Sequence, residues 1–105
     1  MKNESEKKAV AREILRQMGG NRFVAMTGAR NFTCDENSLG FRLPGTMTRD
    51  RINYVKVTLN GMDTYDIEFK SIRGYKVKDV DSYNGIYNDG LEAAIGRRTG
   101  LATRL

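Results

Sequence analysis

Tyr54-Val55-Lys56-Val57-Thr58-Leu59-Asn60-Gly61-Met62-Asp63-Thr64-Tyr65-Asp66-Ile67-Glu68-Phe69-Lys70 decides the fold. In its first limb Val55, Val57 and Leu59 alternate with Tyr54, Lys56 and Thr58. In its second limb Tyr65, Ile67 and Phe69 alternate with Asp66, Glu68 and Lys70. A period of two marks strands with one face on a core and one in water. Asn60-Gly61-Met62-Asp63 between the limbs is good hairpin-turn chemistry. The stretch reads as an antiparallel hairpin.

The pattern extends outward from there. Upstream, Leu39, Phe41 and Leu43 alternate with Gly40 and Arg42, which predicts another half-buried strand. Arg22 to Thr27 is short and largely apolar, and it too reads as a strand. Downstream, Ser71 to Val80 reads as a bent continuation or a fifth strand around Gly74. Asp81-Ser82-Tyr83-Asn84-Gly85 reads as a turn cluster.

Helices bracket this β-rich centre. Residues 4 to 18 place Val10, Ala11, Ile14, Leu15 and Met18 on one stripe. Asn3 or Ser5 is the expected cap, and Asn3 with Glu6 has capping-box spacing. Gly19-Gly20 is the expected stop, since glycine accepts the left-handed conformation after a helix. A second helix is predicted over 89–98, capped by Asn88 or Asp89, with Leu91, Ala94 and Ile95 inward. The tail Leu101-Ala102-Thr103-Arg104-Leu105 is expected to dock through its leucines. Residues 1–105 therefore read as a single α+β domain. It has an N-terminal helix, an antiparallel sheet of four or five strands and a C-terminal helix packed on one face.

Composition narrows the chemistry. The 105 residues contain no histidine and one cysteine, Cys34. Histidine triads, histidine bases and histidine-ligated metals are excluded, and one cysteine makes neither a zinc site nor an intrachain disulfide. Cys34 stands beside Asp35 and Glu36, whose charge disfavours a reactive thiolate. No run approaches the roughly 20 apolar residues of a membrane-spanning helix, and the charged start lacks a signal-peptide core. The expectation is a cytoplasmic protein with no membrane partner, no metal and no cofactor, acting by binding and not as an enzyme.

Eighteen Lys and Arg against 13 Asp and Glu leave a net charge of +5. That balance suits nucleic acid or an acidic protein surface. Lys7, Lys8, Arg12 and Arg16 lie on the first helix. Arg97 and Arg98 follow the last acid, Glu92. Gly28-Ala29-Arg30-Asn31 offers a turn with backbone N–H groups beside Arg30, a weak phosphate cradle. These seven cations are the candidate nucleic-acid contacts. The same charges also fit ordinary solvated faces. An alternative is a protein-directed inhibitor of a host defence system, such as an anti-CRISPR factor. It would use the sheet face (Tyr54, Lys56, Asp66, Glu68) or Tyr83 and Tyr87. A third reading takes Asp66, Glu68 and Lys70, with Asp50 or Asp63, as a magnesium-dependent nuclease strand.

Three stretches carry a resemblance. They are Ile14-Leu15-Arg16-Gln17-Met18-Gly19-Gly20-Asn21-Arg22-Phe23-Val24-Ala25-Met26-Thr27-Gly28-Ala29, then Thr58-Leu59-Asn60-Gly61-Met62-Asp63-Thr64-Tyr65-Asp66, then Thr99-Gly100-Leu101. Over about residues 12 to 105 the chain resembles a family of small proteins encoded by bacteriophages, prophages and conjugative elements. The resemblance implies a host bacterial cytoplasm and a mobile-element role. It brings over no catalytic residues.

Overall fold

The computed structural model describes residues 3–103. Helix α1 (Glu4–Met18) opens on Asn3, whose Oδ1 accepts a hydrogen bond from the Glu6 amide at 2.9 Å. Of the two expected caps, Asn3 is the one used. Gly19 stops the helix in the left-handed region at φ 119°, donating to the Arg16 carbonyl at 3.1 Å. Ala11, Ile14 and Met18 are buried, as their stripe requires.

The second element corrects the expectation of a strand at Arg22 to Thr27. Asn21–Thr27 is a helix, α2, bounded by Gly20 and by left-handed Gly28. A short apolar run has no period that separates strand from helix, so its neighbours decide. Here the buried pair is Phe23 and Thr27, four residues apart. Phe23 sets its ring edge-on to Phe41, with centroids 5.7 Å apart. The Thr27 hydroxyl satisfies itself on the Phe23 carbonyl at 2.7 Å.

Five strands follow: β1 (Arg30–Asp35), β2 (Ser38–Arg42), β3 (Tyr54–Leu59), β4 (Tyr65–Arg73) and β5 (Lys76–Ile86). They form one sheet in the order β1-β2-β3-β4-β5, antiparallel throughout. The chain is α+β. All six residues of β1 are exposed, so this edge strand has no hydrophobic alternation to betray it. Cys34 lies on it, exposed.

The expected turn cluster at Asp81–Gly85 is also corrected. These residues lie inside β5, which pairs with β4 from Lys76 to Ile86. Turn-prone residues are tolerated there because β5 is a sheet edge with two register shifts against β4. The real turn is Gly74-Tyr75. Gly74 has φ 60°, the sign needed at the first central position of a two-residue II′ hairpin turn.

One face of the sheet carries the core. Register aligns Leu39, Val57, Ile67 and Tyr83 in one row and Phe41, Val55 and Phe69 in the next. Helix α3 (Leu91–Thr99) joins α1 and α2 over this face with buried Leu91, Ala94 and Ile95. A 3-10 turn (Asn88–Gly90) precedes α3, and Gly90 holds the cap position with no side-chain bond. The expected Asn88 or Asp89 cap and the 89–98 range are corrected accordingly. Leu101 packs half-buried against the core. Arg104 and Leu105, the rest of the expected docking tail, lie outside the described residues.

On the other face Tyr54 lies across Gly40, where a Cβ would collide with the tyrosine hydroxyl. A cross-strand aromatic thus covers the glycine.

Past Lys70, β3 no longer accompanies the β4–β5 hairpin. Asn53 takes over the pairing with its side chain. Its Nδ2 donates to the Ile72 carbonyl at 2.8 Å, and its Oδ1 accepts from the Ile72 amide at 2.7 Å. Asn53→Ala removes both bonds and is expected to cost about 1–3 kcal/mol. Urea unfolding measures the cost, and amide exchange should accelerate at Ile72 before the core strands.

Candidate nucleic-acid interface

The hairpin beyond Lys70 is a short arm. Ser71 pairs with Lys78, Ile72 with Val77 and Arg73 with Lys76, closed by Gly74-Tyr75. Because side chains alternate across a strand, Ser71, Arg73, Lys76 and Lys78 share one face. Ile72 and Val77 share the other. Tyr75 stands at the tip, 94% exposed.

Facing the cationic side of the arm is the loop from Gly45 to Ile52. Two 3-10 turns, Gly45–Met47 and Arg49–Arg51, build it. Ile52 anchors the loop in the core, and the Thr48 hydroxyl donates to the Ile52 carbonyl at 2.6 Å. Asp50 and Arg51 are consecutive left-handed residues, with φ 53° and 55°. Each costs on the order of 1–2 kcal/mol for a residue with a Cβ. Surrounding contacts must hold them there.

Arg98 supplies that hold. Its Nη2 donates to Asp50 Oδ2 at 2.9 Å and its Nε to Asp81 Oδ2 at 2.8 Å. One guanidinium therefore ties α3 to the loop and to β5. The Arg98 side chain is only 17% exposed, and it is a brace rather than a free cation. Bonding to Arg98, and then to the Ser82 amide, holds the Asp81 carboxyl below its ordinary value. A lowered folded-state pKa means the brace contributes fully above the ordinary aspartate value of about 3.9. Its contribution is lost as pH falls below that value. Melting temperatures of the wild type and Arg98→Ala are expected to differ at neutral pH and to converge in strong acid.

Between loop and arm lies a cleft of about 670 Å³, lined by Asp50, Arg51, Ser71, Arg73, Lys76, Val77 and Lys78. Arg51, Ser71 and Arg73 also border an adjoining cleft of about 620 Å³ below Gly45 and Thr48. Arg51, Arg73, Lys76 and Lys78 are exposed. None of them makes an ion pair with another described residue. Asp50, the acid in the cleft, is already committed to Arg98.

The seven cations singled out from sequence are not brought together. Lys7 stands 3.9 Å from Glu4. Arg16 is bonded to Glu13 at 2.6 Å, and Arg16, then Gln17, lowers the Glu13 carboxyl to about 2. Lys8 and Arg12 are exposed beside a shallow apolar groove of about 210 Å³ between α1 and β1. Arg30 pairs across the strands with Arg42 at the far side of the sheet. Arg97 is exposed on α3. The expected cradle at Gly28-Ala29 is corrected. The Gly28 amide is spent on the Val24 carbonyl at 3.0 Å and the Ala29 amide on the Thr27 hydroxyl at 3.2 Å.

Of the two other readings, the sheet-face set is brought together: Tyr54, Lys56, Asp66 and Glu68 share the outer face of the β3–β4 pair, though several of them are engaged locally. Tyr54 is occupied over Gly40, Lys56 lies opposite Glu68 on β3 and β4, and Asp66 bonds Asn60 and the Gly85 amide. Tyr83 turns inward onto Phe69, at 5.3 Å between centroids, whereas Tyr87 is 69% exposed. The two tyrosines therefore do not form one anchor. Lys70 of the candidate nuclease strand is bonded to Asp79 at 3.0 Å and sits 3.6 Å from Glu68. Among the described residues no three acids or cysteines are grouped closely enough to hold a metal ion. No described helix is long and apolar enough to cross a membrane.

Comparison with protein-family models, with curated proteins and with solved structures gives no match.

Sequence reading missed Arg51, Arg73, Tyr75, Lys76 and Lys78. A signal for four of them was present. Arg73-Gly74-Tyr75-Lys76 is a Gly-first turn, and Lys76 and Lys78 continue a period of two. Arg51 had none, because only the fold carries its loop to the arm.

Proposed function

We propose that this protein is a non-enzymatic nucleic-acid-binding protein, and that its contact surface is the arm and loop cleft. The observation that carries this reading is the meeting in one cleft of four exposed cations, Arg51, Arg73, Lys76 and Lys78, which make no ion pair with another described residue, beside an arm whose tip bears the exposed Tyr75. Phosphates spaced along a backbone are neutralised by such a row, with release of counterions. An open cleft rimmed by four cations suits a charged polymer better than a small apolar ligand, which calls for an enclosed site. The exposed cations Lys8, Arg12, Arg30 and Arg97 add long-range attraction without forming the contact. The resemblance to small mobile-element proteins supports an accessory role on phage or plasmid nucleic acid in a bacterial host.

The test is a salt titration of binding to DNA and RNA. Affinity that falls steeply as salt rises supports the reading. Absence of binding at low salt, or an affinity flat across salt, overturns it.

A further inference from the structure

Resting on that reading, we infer that the polymer is double-stranded DNA and that the β4–β5 arm enters its major groove with Tyr75 leading.

Shape is the first argument. The arm is a two-stranded ribbon three residue pairs long past Lys70, which is about 10 Å at roughly 3.3 Å per residue. A B-form major groove, about 12 Å wide and 8.5 Å deep, admits such a ribbon. The major groove of an RNA duplex is deep and too narrow to enter.

The distribution of chemistry on the arm is the second. Arg73, Lys76 and Lys78 occupy one face, and Arg51 faces them from the loop. Seated in a groove, that face meets one phosphate wall, and the wall itself fits between arm and loop. The opposite face carries Ile72 and Val77, the latter 57% exposed. Apolar side chains there suit thymine methyl groups, which project into the major groove.

The third argument is the placement of aromatic rings. Proteins that hold single strands stack successive bases on several aromatic side chains along a basic groove. No described aromatic residue lines this cleft, and the arm carries one exposed ring, Tyr75, at its tip. Tyr54 covers Gly40 and Tyr83 is packed on Phe69. A lone ring at the tip of a ribbon reaches base edges, and it offers a single strand no path to follow.

The chain has no tryptophan, so Y75W places a unique fluorophore at the tip. Binding is measured at about 50 mM salt, where electrostatic contacts are strong. The probes are a DNA duplex of about two helical turns, an RNA duplex and a DNA single strand of the same sequence. The expected result is affinity for duplex DNA about tenfold or more above the other two. The Y75W emission should change on saturation with duplex DNA. Tyr75→Ala should weaken duplex binding by about tenfold with an unchanged melting temperature, since the side chain packs on nothing. Equal or tighter binding of the single strand or the RNA duplex overturns the groove assignment and leaves the parent reading standing. So does an emission unmoved at saturation. Failure to bind any of the three overturns both.

Discussion

Glutamine at Arg51, Arg73, Lys76 and Lys78 together is expected to abolish measurable salt-dependent binding to nucleic acid. On the proposed reading the four cations supply the phosphate contacts, and each contact contributes about 0.9 to the slope of log affinity against log salt on a duplex. Four contacts give a wild-type slope of about −3.6, so raising salt from about 50 to 200 mM weakens binding by roughly 150-fold. The variant's slope should approach zero. Glutamine keeps most of each side chain's stem, and all four positions are exposed and make no ion pair with another described residue. Stability should therefore stay within about 0.5 kcal/mol per site of the wild type. Glutamine at Lys8 and Arg12 is the control. Those cations flank the α1–β1 groove, and the slope should be nearly unaffected. A control variant as impaired as the quadruple one would move the interface to α1.

Phe41→Ala is expected to cost about 3–5 kcal/mol, the largest effect on stability of any single truncation considered. Phe41 is fully buried on β2. Its ring is the meeting point of two others, Phe23 at 5.7 Å and Phe32 at 5.6 Å. Truncation thus removes the surface on which α2 sits and leaves a cavity that β2, paired on both sides, cannot collapse to fill. A domain of this size has about 5–15 kcal/mol in total, so the loss is a large fraction of it. The urea midpoint should fall with little change in slope, and the melting temperature should drop by more than about 10 °C. Phe32→Ala removes a ring that is 37% exposed and should cost much less. If the two variants cost the same, α2 is not held by Phe41.

The two effects separate cleanly because core and cleft share almost no residues. Ile52 and Asn53 are the links. The first roots the loop in the core, and the second clamps the base of the arm. Arg98 is the third link, from α3. It had been a candidate phosphate contact, and its near-burial against two aspartates makes it a positioning residue. Charge counting along a chain cannot make that distinction, since an arginine in an ion pair and an arginine in a cleft are the same letter.

Strands β3 and β4 and helix α1 were legible because each buries one face only, and one-sided burial writes a period into the sequence. Strand β2 is covered on both faces, but its outer face is buried at Ser38 and at Gly40 under Tyr54, so Leu39 and Phe41 still alternate with non-apolar positions. Strand β1 and the distal part of β5 bury almost nothing, so no period exists there to be read. The α2 segment failed for the opposite reason. Seven mostly apolar residues between glycines carry no period, and the ring of Phe41 beneath them decided for a helix.

By itself the sequence determined a sheet of alternating strands between two amphipathic helices. It also determined the absence of histidine and of paired cysteines, and the positive charge. Those properties belong to local periodicity and to composition, which need no partner to be expressed. The tertiary structure alone decided where the charge converges. Hydrogen bonding of Asn53 and the Asp50–Arg98–Asp81 brace bring Arg51 across from Arg73, Lys76 and Lys78. Electrostatic recognition depends on distances in space, and only folding brings these residues together in one cleft.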